Sequence, residues 1–378
     1  MKGNRTTAVV IIAVALLVSF VSARSFGKMH TEEPIVPGPG VTSVKMLSEY
    51  DPGLKGTAGD TEVYVMEGSN PGSSMLVLGG NHPNEPASML SAVVLIENAQ
   101  VEAGTLYVIP RANNSAFTHN DPQEGHPQRY TIETPEGDRW FRFGSRATNP
   151  IHQWPDPDVY IHASSGQQLS GSETRNLNRT FPGRENGTFT ERISYGITKM
   201  IQQEAIDVTI DLHEASPEYP VVNAVVAHDR GMGIASQVVM NLQFEGIPIG
   251  LEPSPVSLRG LTHRELGDHT DTYAFLLETT NPAQGRLRGK TDEALVLTGI
   301  DSGYVRAQQM GRLFVPYDDT GHPIDERVAR HVATVYEFSR IYSELSPESP
   351  VTITGLDSYH DMIVNGLGAY LNPPPESS

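Results

Sequence analysis

Short apolar runs, each ending on a polar side chain able to do chemistry, constrain this chain more than any other feature of its sequence. Met75–Leu78 leads into Gly79-Gly80-Asn81-His82-Pro83-Asn84-Glu85-Pro86, Val208–Leu212 leads into His213, and Tyr273–Leu277 leads into Glu278. Runs this short read as strands buried on both faces, and Leu106–Ile109 is another. Helical periodicity separates them. From about Glu85, Met89, Val93 and Ile96 share a face; a second helix is expected over about Thr190–Ala205. A long amphipathic one is expected over about Ile324–Glu344, where Ile324, Val328, Val332, Val335 and Phe338 recur at helical spacing. Strands alternating with helices predict an α/β domain with a mainly parallel, mixed sheet flanked by helices. Such sheets place ligands beyond the C-terminal strand ends, so the polar run-ends are expected to meet along one rim.

Around this core the organisation reads as follows. Lys2 and Arg5 precede an apolar run from Ala8 to Phe20, and Val21-Ser22-Ala23 offers small residues for a signal peptidase. Residues 1–23 are therefore expected to be a signal peptide, with an uncleaved N-terminal anchor as the alternative, and the protein to be secreted or periplasmic, or anchored. Residues 24–60, rich in Gly, Pro and Thr, read as a linker and a first strand. The main domain is expected over 61–345. Within it, 113–171 loses periodicity and gathers Pro122, Pro127, Pro135, Pro150, Pro155 and Pro157 with Trp140 and Trp154. A stretch of that length inside a compact domain reads as an ordered insertion, a lid or a specificity wall. Residues 346–378 form a C-terminal extension whose tail, Pro373–Ser378, is expected to be disordered.

Composition narrows the partners. The formal charge of −18 repels phosphate backbones and anionic lipid, so no nucleic acid and no membrane contact beyond an N-terminal anchor is expected. The chain has no cysteine, which excludes disulfides, thiolate metal sites and a cysteine nucleophile, and suits an oxidising compartment. No Gly-x-Ser-x-Gly elbow is present.

The chemistry then falls to other side chains. His82 and Glu85 are three residues apart at the mouth of a helix, where both can reach one ion, and imidazole plus carboxylate is most of a catalytic zinc set. His213 would project over the same rim, with Asp211 on the same face to accept a hydrogen bond from a ligating ring. In Arg175-Asn176-Leu177-Asn178-Arg179-Thr180-Phe181-Pro182-Gly183, Asn and Arg can grip a carboxylate. A carboxylate ending an apolar strand is costly unless paired or working, so Glu278 suits a general base. Singly, each feature has a bland reading: a surface pair (His30 and Glu33 form another such pair), a solvated strand end, an ordinary loop. His263 and His269 lie shortly before Glu278, near enough to approach the pocket, with a direct role disfavoured.

Together, in this order, the segments resemble the succinylglutamate desuccinylase/aspartoacylase family of zinc carboxypeptidase-like hydrolases. The resemblance covers about residues 70–285 and is most specific over Asn176–Gly183. Pro83 stands where the family usually has Gly, and Asn176 where it usually has Asp. The resemblance implies a zinc carboxypeptidase-like (phosphorylase/hydrolase-like) core and one Zn2+ held by His82, Glu85 and His213. It also implies Glu278 as base, Asn178 and Arg179 as substrate-binding residues, and an arginine assisting the oxyanion. That arginine is expected to be Arg146, with Arg111 and Arg175 as competitors. The implied function is deacylation of an N-acyl amino acid; the alternative is an exported zinc carboxypeptidase acting on peptide or cell-wall peptide ends. A binding protein that kept the fold without turnover is a further alternative, disfavoured because all four metal and base positions are filled.

Overall fold

The computed structural model describes residues 2–121 and 124–374. Pro122, the Lys2 side chain and the last part of the expected tail, 375–378, lie outside the described residues. In chain order the elements are α1 (Lys2–Lys28), β1 (Ser43–Met46), β2 (Glu62–Glu67), β3 (Asn70–Leu78), α2 (Pro86–Asn98), β4 (Gln100–Ile109), β5 (Arg129–Ile132), β6 (Arg139–Arg142), β7 (Val159–Ile161) and β8 (Gln168–Ser170). They continue as α3 (Phe189–Gln203), β9 (Val208–Ala215), β10 (Ala224–Ala227), α4 (Met232–Phe244), β11 (Gly250–Pro253), α5 (Thr262–His269) and β12 (Tyr273–Thr280). Last come α6 (Glu293–Thr298), α7 (Ser302–Gln309), α8 (Ile324–Leu345), β13 (Thr352–Thr354) and α9 (Tyr359–Asn365).

The main sheet runs β1-β2-β4-β3-β9-β12-β10-β11, with β13 paired on β4. The central run β4-β3-β9-β12 is parallel, whereas β1, β2 and β13 add antiparallel on one side and β10 opposes β12 on the other. The sheet is thus mixed, parallel in its middle rather than throughout. Apolar runs reveal that a strand is buried, but not which neighbour it pairs with, so the flanking directions are not readable from them.

Strand alternation divides the core in two. Met75 and Val77, Leu106 and Val108, Ile210 and Leu212, and Phe275 and Leu277 face a layer built by α2, α4 and α8. Phe275 packs on Phe338 of α8 with ring centroids 4.3 Å apart. Leu76, Leu78, Tyr107 and Ile109 face the opposite way, onto Ile193, Ile197 and Met200 of α3 and Leu266 of α5. Asp211, His213 and Glu278 belong to this second face. Beside α5 this face borders a cleft lined by His213 and Glu278.

Three stretches gain partners that their sequence does not show. Residues following α1 are docked rather than strung out as a linker: Met29 and Glu33 are buried, and Glu33 pairs with Arg142 and Arg111. The insertion is ordered as two hairpins, β5–β6 and β7–β8, and its Arg139 is buried against Glu97. The C-terminal extension is part of the main core through Val351, Ile353, Tyr359 and Met362, and Asn372 is tied to Glu97 and Val36. α1 itself is exposed along nearly all the side chains described, Ser25 donating to Gln128 near its end, and is long and apolar enough to cross a membrane. Its length and N-terminal place are compatible with a signal peptide or an anchor.

Candidate metal centre

Gly79 and Gly80 turn the chain out of β3 toward the rim. Gly80 has φ of +64°, and a Cβ there would lie 2.7 Å from Pro110 O and 2.8 Å from Phe117 Cζ, so only glycine fits. Its N–H donates to Ser88 Oγ, which donates to Leu212 O, fixing the turn against β9. The next turn, closed by Glu85 N–H to His82 O, sets both side chains on the rim. From β9 comes His213. It lies within the strand rather than at its end, because pairing with β12 continues to Ala215 and Thr280.

The structure brings His82, Glu85 and His213 together: one ligating atom from each lies within 4.8 Å of the others, and all three residues are buried. His82 Nδ1 is 2.9 Å from Glu85 Oε1, and His213 Nδ1 is 2.9 Å from Glu85 Oε2. The outward nitrogens are committed. His82 Nε2 sits 2.8 Å from Asn176 Oδ1, an oxygen that also accepts from Asn178 N–H, while Asn176 Nδ2 donates to Glu173. That pattern fixes the amide orientation and makes Nε2 the protonated nitrogen of His82. His213 Nε2 is likewise 2.8 Å from Asp211 Oδ2, and Asn81 Nδ2 also donates to Asp211.

The electrostatics follow. Burial, then the Arg146 cation, pushes His82 down to about 4, so its ring is neutral with the Nδ1 lone pair aimed at a carboxylate. Burial works against Glu85 ionising, but the His82 and His213 rings outweigh it and hold Glu85 well below its usual range. His213 is raised well above its usual value, since Asp211 and Glu85 overcome burial. Lone pairs of nitrogen and oxygen converging on one point, with each ring steadied from behind by an acceptor, is the donor set that zinc-type ions favour. The residues present therefore fit a divalent metal.

Around this cluster lies a cleft of about 670 Å³. Glu278 is paired in register with His213 on the adjacent strand and lines the cleft. Its Oε2 is buried without a hydrogen-bond partner among the described residues. Burial raises its pKa to about 8, against the lowering effect of His213. Arg146 lines the same cleft, and its Nη1 approaches Glu85 Oε1 at 3.5 Å. The competing arginines are spent elsewhere: Arg111 on Glu32, Glu33 and Glu62, Arg175 on Asp156 and Thr148 O.

Arg179 and Asn178 also face the cleft. Arg179 donates to Asn178 O and meets Glu173 only at 3.8 Å. Burial, then Arg146, lowers its pKa, the mark of a cation short of counter-charge. Asn178 Oδ1 is taken by the backbone N–H and hydroxyl of Thr262, which leaves its NH2 for a ligand.

Several supporting residues escape a sequence reading. Asn176, noticed only as a departure from Asp, orients His82. Gln284 donates to Glu85 Oε1. Behind the cluster a fully buried pair, Arg327 Nη1 to Glu214 Oε1 at 2.9 Å, braces β9, and Glu214 N–H donates to Glu85 Oε2. Their only sequence signal is charge inside an apolar helix or strand.

No family profile and no curated protein matches the sequence. Solved structures do. The chain is similar to a succinylglutamate desuccinylase/aspartoacylase from Rhodobacter sphaeroides, at 16% identity over 60% of this chain and 54% of that one, with a TM-score of 0.37. It is also similar to a metallo-carboxypeptidase from Burkholderia cenocepacia (12% identity, 85% and 68% covered, TM-score 0.43). A third is the product-bound cell shape determinant protein Csd4 from Helicobacter pylori (11%, 80% and 58%, TM-score 0.45). The chain spans little more than half the length of the desuccinylase it matches.

Proposed function

We propose that this protein is a zinc-dependent amidohydrolase that cleaves an amide bond next to a carboxylate, deacylating an N-acyl amino acid. The observation that carries this reading is the buried, unpartnered Glu278 Oε2 in the same cleft as the His82–Glu85–His213 donors and the under-compensated Arg179. One Zn2+ would be held by those three donors. When bound, such an ion acidifies water and polarises a carbonyl oxygen.

The chain's own residues supply the rest. Arg179, helped by the Asn178 amide, binds the substrate carboxylate and fixes which amide reaches the donor cluster. Glu278 takes a proton from the attacking water and delivers it to the leaving amine. Burial favours its protonated form, and positive charge near its oxygens favours the carboxylate that a base requires. Arg146, half-exposed at the cleft, donates to the oxygen that becomes negative as the carbonyl turns tetrahedral. Asn176 and Asp211 keep both rings turned so that Nδ1 faces the ion.

Export, through α1 as signal peptide or anchor, and the ordered insertion that contributes Arg146 favour a second reading: a carboxypeptidase acting on peptide ends. A hydrolysis screen of N-acyl amino acids against short peptides with zinc-loaded protein separates them. Release of free acid supports the deacylase, and release of a terminal residue supports the peptidase. No release from either class contradicts both.

A further inference from the structure

His263 is a buried imidazole that the reaction above leaves unused. It is 3% exposed, lines the metal-centre cleft, and neither ring nitrogen has a hydrogen-bond partner among the described residues. Leaving a buried polar atom unsatisfied costs about 1–3 kcal/mol, so an orphaned ring facing a cleft calls for a ligand group.

Its position is set by the carboxylate grip itself. Thr262, the residue before it, donates both its backbone N–H and its hydroxyl to Asn178 Oδ1, at 2.8 and 3.0 Å. The walls beside it are apolar. Val226 and Leu276 are register partners on β10 and β12, Leu276 lies two residues before Glu278 on the same face, and Leu258 and Leu261 complete the enclosure. A residue whose carboxylate is held by Arg179 and Asn178 therefore has its side chain between these walls, with His263 as the polar contact.

We propose that His263 is the specificity-determining residue of this cleft, selecting a substrate whose carboxylate-bearing residue has an uncharged side chain that both donates and accepts hydrogen bonds, a carboxamide above all. The proposal rests on the carboxylate-binding role given to Arg179 in the function proposed above. A neutral imidazole offers one N–H and one lone pair, which a carboxamide matches at both ends, a carboxylate at one and an alkyl chain at neither. The ring is held neutral: burial first, helped by the nearby positive charge of Arg264 and Arg179, lowers its pKa to about 3. The two arginines also oppose an ammonium group in this subsite.

The test is equilibrium binding of free glutamine, glutamate, lysine and leucine to the zinc-loaded full chain by calorimetry, with turnover of the corresponding N-acetyl amino acids and alanyl dipeptides measured in parallel. Wild type is expected to bind glutamine about ten-fold or more tighter than leucine, a difference one good hydrogen-bonding contact supplies. H263L, with metal content unchanged, is expected to bind leucine at least as tightly as glutamine, and H263Q, which keeps a donor and an acceptor, to restore the original order. Should H263L fail to fold, H263N is expected to narrow the preference instead. Equal preference in wild type and variant, or no binding of any of the four to wild type, overturns the proposal. The expected binding order without turnover of either substrate class supports His263 and overturns the hydrolase reading, so the two failures are told apart.

Discussion

Glu278 and His213 are register partners on adjacent parallel strands, so both side chains rise from the same face of the sheet into one cleft. This places a carboxyl with a free, buried oxygen beside a ring that already leans on Glu85. Glu278 and His213 are thereby held by backbone pairing rather than by a mobile loop.

Replacing Glu278 with Gln keeps shape and removes the carboxylate proposed as base. Metal content by atomic emission is expected to match wild type while kcat falls about 10²- to 10⁴-fold, the usual weight of a general base. Full activity in E278Q contradicts the assignment.

Metal uptake should release protons. His213 is raised well above its ordinary value and so carries a proton near neutral pH, which an ion on Nδ1 must displace. Calorimetry in buffers of differing ionisation enthalpy is expected to show about one proton released per ion, with affinity falling as pH falls. The metal-free protein follows the opposite sign. Stabilisation from a raised histidine is complete below its unfolded value of about 6.5 and is lost as pH climbs through the folded value. Glu85, held low, loses its contribution only as pH falls through its depressed folded value. Melting temperature of metal-free protein against pH reads both.

Gly80→Ala forces a side chain onto Pro110 O and Phe117 at a positive φ. The turn must shift, and His82 with it. Stability is expected to drop by about 1–3 kcal/mol in urea unfolding, with zinc affinity falling more than in a distant variant of equal stability loss.

How the chain leaves α1 gives a fourth test. Glu33 is buried between Arg142 and Arg111. E33A strands the buried Arg142 guanidinium, while Arg111 keeps Glu32 and Glu62; it is expected to cost about 3–5 kcal/mol, whereas deleting residues 2–23, whose described side chains are almost all exposed, should leave unfolding of the domain nearly unchanged. Denaturant melts of both proteins decide it.

The contrast with the sequence reading has a physical pattern. Features carried by local periodicity were legible: the strand runs into His82, His213 and Glu278, and the amphipathic α8 with Phe338. Residues whose meaning depends on a distant partner were not. Glu33 sat in a Pro- and Gly-rich stretch where its only evident neighbour was His30, because its partners Arg111 and Arg142 come from far along the chain. Asn176 gives no sign in sequence that its oxygen will meet His82 Nε2, and His263 acquires significance only once Asn178 is seen to hold Thr262. Short strands such as β10 and β11 leave too few residues for any period to show.

The central claim is that His82, Glu85 and His213 form one metal site, and a crystal of zinc-loaded protein measured on both sides of the zinc absorption edge tests it most directly. The account predicts one strong anomalous peak per chain, bonded to Nδ1 of both histidines and to the Glu85 carboxylate, with the Nε2 contacts to Asn176 and Asp211 intact. A peak elsewhere, or none while His82 and His213 stay hydrogen-bonded to Glu85, would contradict it.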